Sequence, residues 1–167
     1  LYNWTVPDSI SGTNLIGTQL RVGVIDNNLS ARNYDYSNSV FEIKGDINLT
    51  APNGGEPWKA GETRQINWTR AGNLSAQPFN ITISDDGGQS WAVLNNTVNQ
   101  SGVDVDNDTY CVYNWTISDS DPMGNGMRIQ EAWAGDPSYV KDNSTGNFSV
   151  WAKLNVTNPT ASTEWLA

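Results

Sequence analysis

The chain has 167 residues, 37% of them hydrophobic, with eight Trp, six Tyr and three Phe, a supply of apolar surface that excludes wholesale disorder. Nine basic against eighteen acidic residues give a net charge of −9, and no run of Lys or Arg could track a phosphate backbone, so nucleic acid is not an expected partner. A single cysteine, Cys111, and the absence of histidine exclude a disulfide framework, multi-cysteine metal sites and imidazole-based acid–base chemistry.

In chain order, the first strand-like phrase is YNWTVPDS from Tyr2, followed by QLRV around Arg21 and FEIKG from Phe41. From Asp46 onward INLT, RQINWT, FNITIS, SWAVL, YCVYNWT, MRIQEAW and NFSVWA are short, rich in β-branched and aromatic residues, and mostly alternate polar with apolar. The runs between them, APNGGEP, SDDGGQ, DVDND, SDSDPMGNG and AGDPS, carry the Gly, Pro, Asn and Asp that turns require. Seven such segments without helical periodicity predict an all-β chain, of immunoglobulin-like β-sandwich type. An eight-stranded barrel or jelly roll is the structural alternative. No apolar run approaches the roughly 20 residues needed to span a bilayer. Beginning at Leu1 without a signal peptide, the chain reads as a mature protein or an excised fragment.

The chain repeats itself. At a spacing of 107 residues DINLTAPNGGEPW from Asp46 runs beside KLNVTNPTASTEW from Lys153, placing Trp58 on Trp165. The same spacing sets Arg21 on Arg128 and Phe41 on Phe148, and at a spacing of 111 YNWTVPDS matches YNWTISDS from Tyr113. Residues 1–45 thus read as the C-terminal part of one repeat, 46–151 as a complete repeat, and 152–167 as the start of another. Almost no residues separate FEIKG from DINLT, so successive repeats are expected to be held stiffly.

The pattern P-N-G-G-E-x-W-x-x-G, followed by INWT, SDDGGQSW, YNWT and a late FSV strand, resembles the Ig-like tandem repeats of bacterial and archaeal secreted surface proteins, which are related to a fungal cell-wall domain of Ser/Thr-rich GPI-anchored proteins. The resemblance covers the complete repeat and reaches into both partial ones. It implies tandem immunoglobulin-like β-sandwich repeats with structural, spacer or adhesive duties in a cell envelope. The third repeat departs from it, with TASTE in place of NGGEP.

Thirteen Asn-X-Ser/Thr acceptors occur, at Asn3, Asn28, Asn48, Asn67, Asn73, Asn80, Asn95, Asn99, Asn107, Asn114, Asn143, Asn147 and Asn155. Random order of the 21 Asn and 29 Ser plus Thr would give about four, so extensive N-glycosylation is expected. Strand alternation is the competing account, since NWT, NLT, NIT and NVT each put an apolar residue inward between two polar ones. SDDGGQSW fits the S-x-D-x-G-x-x-W turn pattern of sialidase propellers, but in one copy it reads as a hairpin tied by Asp86, with Gly88 at a positive φ and Trp91 filling the core. Asp104, Asp106 and Asp108 alternate in a way that could ligate calcium, with a solvated acidic turn as the alternative. No other cofactor is implied.

Aligned with itself, the chain pairs Trp4 with Trp115 and Trp58 with Trp165, as expected of core positions. Trp133 and Trp151 fall opposite Asp26 and Lys44, which makes them candidates for surface or junction contacts, with core placement as the alternative. Arg21 and Arg128 are expected to be structural ion-pair partners, and Cys111 a small apolar filler. Carboxylate pairs such as Asp85/Asp86 and Asp119/Asp121 lie in turn sequences, so no catalytic residue is assigned. These readings lead to a non-catalytic, N-glycosylated structural component of an extracellular filament, sheath or surface layer, archaeal by its sequons without disulfides, that associates with identical chains. An adhesin, or a carbohydrate-binding or spacer module of a larger secreted protein, is the alternative.

Overall fold

The computed structural model describes residues 1–158 apart from 8, 12, 29–32, 73, 75–77, 99–102, 106 and 107, with the backbone alone at 9, 14, 103–105, 108 and 109. The described residues are all-β, with sixteen strands and no helix. Six lie in the first 45 residues: β1 (Ser9–Ile10), β2 (Thr13–Asn14), β3 (Gly17–Leu20), β4 (Gly23–Ile25), β5 (Tyr34–Tyr36) and β6 (Phe41–Ile43). They pair antiparallel as three two-stranded ribbons, β1–β2, β3–β6 and β4–β5.

The other ten strands build the core: β7 (Asp46–Ala51), β8 (Pro57–Lys59), β9 (Thr63–Ala71), β10 (Phe79–Ser84), β11 (Ala92–Val98), β12 (Val103–Val105), β13 (Asp108–Thr116), β14 (Gly124–Trp133), β15 (Lys141–Asn143) and β16 (Phe148–Trp151). One sheet runs β12–β13–β9–β7; the other runs β11–β10–β14–β16–β8, with β15 also paired to β14. Every pairing is antiparallel except β16 with β8. Two faces of alternating side chains meet between the sheets. Ile47, Leu49, Ile66, Trp68, Cys111 and Trp115 come from the first, and Trp58, Phe79, Ile81, Ile83, Met127, Ile129, Phe148 and Val150 from the second. Aromatic rings bridge the layers, with Trp68 5.7 Å from Phe79 and Trp58 5.9 Å from Trp115.

The sequence predicts seven strands here and the structure has ten. The three extra, β8, β12 and β15, are three residues each, too short for a period of two to register. DVDND is correspondingly less of a turn than its composition predicts, since Asp104 and Asp108 are strand residues of the β12–β13 hairpin. The PNGGE turn closes on itself. Glu56 accepts the backbone N–H groups of Asn53 (2.7 Å) and Gly54 (2.9 Å), and a Cβ at Gly54, where φ is +130°, would lie 2.9 Å from Gly146.

Candidate functional site

Two of the three strand pairings of the first 45 residues, β3–β6 and β4–β5, recur residue for residue 107 positions later. In β3–β6 Gly17 faces Ile43 and Leu20 faces Phe41, with an irregularity between the two pairs; in β14–β16 Gly124 faces Val150 and Met127 faces Phe148, with the irregularity in the same place. In β4–β5 the pairs are Gly23–Tyr36, Val24–Asp35 and Ile25–Tyr34; in β14–β15 they are Gln130–Asn143, Glu131–Asp142 and Ala132–Lys141.

Hydrogen bonds outside the ladders follow the same rule. Ser37 N donates to Val22 O at 2.8 Å and Ser144 N to Ile129 O at 2.9 Å, while Val22 N and Ile129 N donate back to the Ser37 and Ser144 hydroxyls at 3.3 and 3.0 Å. Asp26 N reaches Asn33 O, and Trp133 N reaches Val140 O, both at 2.9 Å. Asp35 Oδ1 accepts Tyr36 N as Asp142 Oδ1 accepts Asn143 N. Two different sequences therefore adopt one local structure, pinned by the elements they share: Asp, Ser and Phe at 35, 37 and 41, and again at 142, 144 and 148. Sequence reasoning found the phenylalanines and missed the Asp and Ser, although the same alignment carries them.

What differs is the cover. Met127, Ile129 and Phe148 are fully buried, but at the matching positions Leu20 and Phe41 are half-buried and Val22 is 47% exposed. A groove of about 770 Å³ runs along this uncovered face, lined by Trp4, Leu20, Val22, Val24, Phe41 and Ile43 among others. Trp4, expected to fill a core as its match Trp115 does, instead lies on this groove and is 42% exposed, whereas Trp115 packs on Trp58 and is buried. Trp165 lies outside the described residues.

Glu131 is the most unusual buried group. Both its carboxyl oxygens are buried without a hydrogen-bond partner, and burial, with the Asp142 carboxylate beside it, pushes its pKa up to about 10. It is a neutral acid in the folded protein. Val24 takes its place in the first half. Asp142 spends its second oxygen, Oδ2, on Leu49 N at 2.8 Å, tying β7 across the sandwich to β15.

The two halves of the chain meet around Lys44. Its ammonium lies 2.7 Å from Asp136 and 3.4 Å from Glu42, and 3.8 Å from the centre of the Tyr139 ring, with the Asp136 hydrogen bond chiefly holding its pKa above the ordinary value. A Cβ at Gly45 would fall 2.5 Å from the Leu74 side chain and 3.0 Å from Ala71 O, so glycine lets the link between β6 and β7 lie close against Leu74.

Of the junction candidates, Trp151 is 48% exposed and donates to Asn125 Oδ1 at 3.3 Å. Trp133 is half-buried against the core and donates to Leu74 O at 2.9 Å. Neither arginine has a carboxylate partner among the described residues, contrary to the ion-pair expectation. Arg21 donates to Ser37 O (3.0 Å) and Arg128 to Asn147 Oδ1 (2.7 Å), and the residue facing Arg128 on β10 is Ser84. Cys111 is buried in the core, where an apolar filler was expected.

The SDDGGQSW turn is tied by Asp86 as predicted. Its carboxylate accepts the Ser84 and Ser90 hydroxyls and the Gln89 and Ser90 amides at 2.6–2.9 Å, which holds its pKa well below the usual carboxylate range. Trp91 departs from expectation. It is half-buried against Gly88 rather than filling the core, because β11 begins one residue later.

Among the sequon asparagines, Asn3, Asn28, Asn48, Asn114, Asn143, Asn147 and Asn155 are exposed, while Asn67, Asn80 and Asn95 are half-buried. Asn73, Asn99 and Asn107 lie outside the described residues. Asn48, Asn67 and Asn114 sit on the outer face of one sheet, opposite inward Leu49, Trp68 and Trp115. Asp106 and the side chains of Asp104 and Asp108 are likewise outside them, and among the described residues no cluster of acidic side chains could hold a metal ion. No helix among those residues is long and apolar enough to cross a membrane.

No protein-family model matches the sequence, and no curated protein stands as a relative of it.

Proposed function

We propose that the chain is a stretch of a non-catalytic extracellular surface protein built from tandem immunoglobulin-like β-sandwiches, carrying N-glycans and assembling with identical chains into a filament, sheath or surface layer. One observation carries this reading: the same strand register and the same side-chain hydrogen bonds occur twice, 107 residues apart. Recurrence at a fixed spacing is how arrays are built, each unit contacting its neighbours through the same surfaces. The Lys44–Asp136 contact and the close approach of Gly45 to Leu74 support a stiff joint between units. Seven exposed sequon asparagines support a sugar-bearing exterior, and the resemblance of the PNGGE-x-W pattern to archaeal and bacterial surface repeats points the same way.

Electron microscopy of native material tests the reading, with regular polymers expected and dispersed monomers counting against it. Peptide mapping tests the coat; bare asparagines throughout would remove it.

A carbohydrate-binding or adhesive module is the second reading. It is favoured by Tyr34 and Tyr36, whose rings lie 5.7 Å apart and are 58% and 50% exposed on the β4–β5 ribbon. Binding on a glycan array that is lost in Tyr34→Ala/Tyr36→Ala would favour it over the structural role.

A further inference from the structure

Among the described sequons of the complete repeat, one differs from the rest in where its hydroxyl points. Asn95 Oδ1 accepts Thr97 N at 2.9 Å and Thr97 Oγ1 at 3.2 Å, so the third residue of the sequon folds back on the first. Elsewhere the hydroxyl turns to another part of the chain. Thr50 donates to Asn67 O and Thr145 to Asn53 O, each at 3.0 Å, and Thr116 pairs with Thr63 at the same distance.

The ladder around Asn95 explains the bend. From Asn95 to Val98 β11 takes three steps where β10, from Ile81 to Phe79, takes two, and from Val93 to Asn95 it takes two where β10 takes one. Each surplus residue is a bulge that bends the strand and interrupts its pairing. β11 also ends its sheet, so among the described residues one of its sides carries no partner strand. Asn96 and Thr97 are exposed. Asn95 Nδ2 donates to none of the described residues and is not sealed in, whereas Asn67 Oδ1 is buried without a partner.

We propose that Asn95 is the site at which the folded chain accepts an N-glycan, from a donor that carries its oligosaccharide on a lipid-linked phosphate. Hydrogen bonds from Thr97 to Oδ1 draw charge onto that oxygen, which makes an Nδ2 proton easier to remove. In the transfer a C–N bond forms from Nδ2 to C1 of the leading sugar and the C1–O bond to the donor phosphate breaks. The phosphate leaves with that electron pair, and a base of the transferase takes the Nδ2 proton. Such an enzyme must hold amide and hydroxyl together, and the bent segment already presents them as a pair. Asn67 and Asn114 lie in the β9–β13 ladder, which pairs without interruption from Asp108 to Thr116, so they reach the bent form only when the sheet opens. Sugar is therefore attached to them before the sheet closes, and to Asn95 afterwards as well.

This inference rests on the sugar-bearing reading above and orders its sites. The test is transfer to the 167-residue chain, made without glycans and folded, by an oligosaccharyltransferase supplied with its lipid-linked oligosaccharide, followed by peptide mapping over time. Short peptides spanning each sequon give the rate free of the fold. Divided by its peptide rate, transfer at Asn95 should exceed that at Asn67 and Asn114 by about tenfold or more, because those two wait on strand opening. Thr97→Ser, measured against its own peptide, should keep the advantage, since the hydroxyl that bonds Oδ1 remains and the position is exposed. Equal ratios at the three sites, an Asn95 that stays bare in the folded chain while its peptide reacts, or loss of the advantage in Thr97→Ser overturns the proposal. Native material separates the two readings: Asn95 bare beside occupied sites overturns this assignment alone, and bare asparagines throughout remove the coat itself.

Discussion

Residues 17–43 and 124–150 have one ladder and two fates. In both, the same positions pair, the same serine hydroxyl accepts from a strand amide, and the same phenylalanine closes the ribbon. Yet Phe148 is fully buried beside Trp58 of β8, while Phe41 is half-buried at the groove. Pairing and burial are therefore separable. The first is set by the neighbouring strand, and the second by what packs across the sheet.

The strongest way to break the comparison is to truncate the shared phenylalanine in each half. Phe148→Ala should cost about 3–5 kcal/mol by denaturant unfolding, and Phe41→Ala well under half of that. Equal costs would show that the two ribbons share a core after all.

Next comes pH. Glu131 is neutral when folded, with a pKa of about 10 against an ordinary 4.5, whereas in the unfolded chain it ionises near its ordinary value. The unfolded state therefore loses a proton that the folded state keeps. The contribution of Glu131 to stability is intact below about pH 4.5 and declines as pH rises toward about 10, by up to roughly 1.4 kcal/mol per pH unit. Glu131→Val, which installs the residue of the first half, should flatten that slope in urea titrations run from pH 5 to pH 9. An unchanged slope would place the pH sensitivity elsewhere.

The serines give a smaller effect. The Ser144 hydroxyl is buried, accepting from Ile129 N and donating to Pro52 O at 2.8 Å, so Ser144→Ala should cost about 1–3 kcal/mol. The Ser37 hydroxyl makes the matching bond beside solvent, and Ser37→Ala should cost about 0.5 kcal/mol or less.

Smallest of all, Lys44→Ala should leave the unfolding midpoint where it is, because the ion pair is exposed. It should speed amide exchange around Gly45 and Leu74, where the halves touch. Unchanged exchange would mean that the Lys44–Asp136 contact does not hold the two regions together.

Much of this was legible from residue pattern. Strands with two- or three-residue apolar alternation, such as FNITIS and MRIQEAW, announce their inward faces, and the turn around Asp86 announces its own hydrogen bonds. The recurrence of Arg21 and Phe41 at Arg128 and Phe148 marks in the sequence the two regions whose ladders match. It did not reveal β8, β12 and β15, which at three residues each are too short for alternation to register. Nor did it reveal that Glu131, in a polar-looking QEAW, turns inward beside Ile81.

By itself the sequence determined the all-β character, the turn around Asp86 and the recurrence at 107 residues, because these depend on side chains within a few residues or on residue identity alone. Only the tertiary structure decided which copy is covered, which tryptophan is buried and which carboxyl group is kept neutral. Those outcomes depend on the second sheet: burial and dielectric are properties of everything packed around a residue, and identical local phrases carry no record of it.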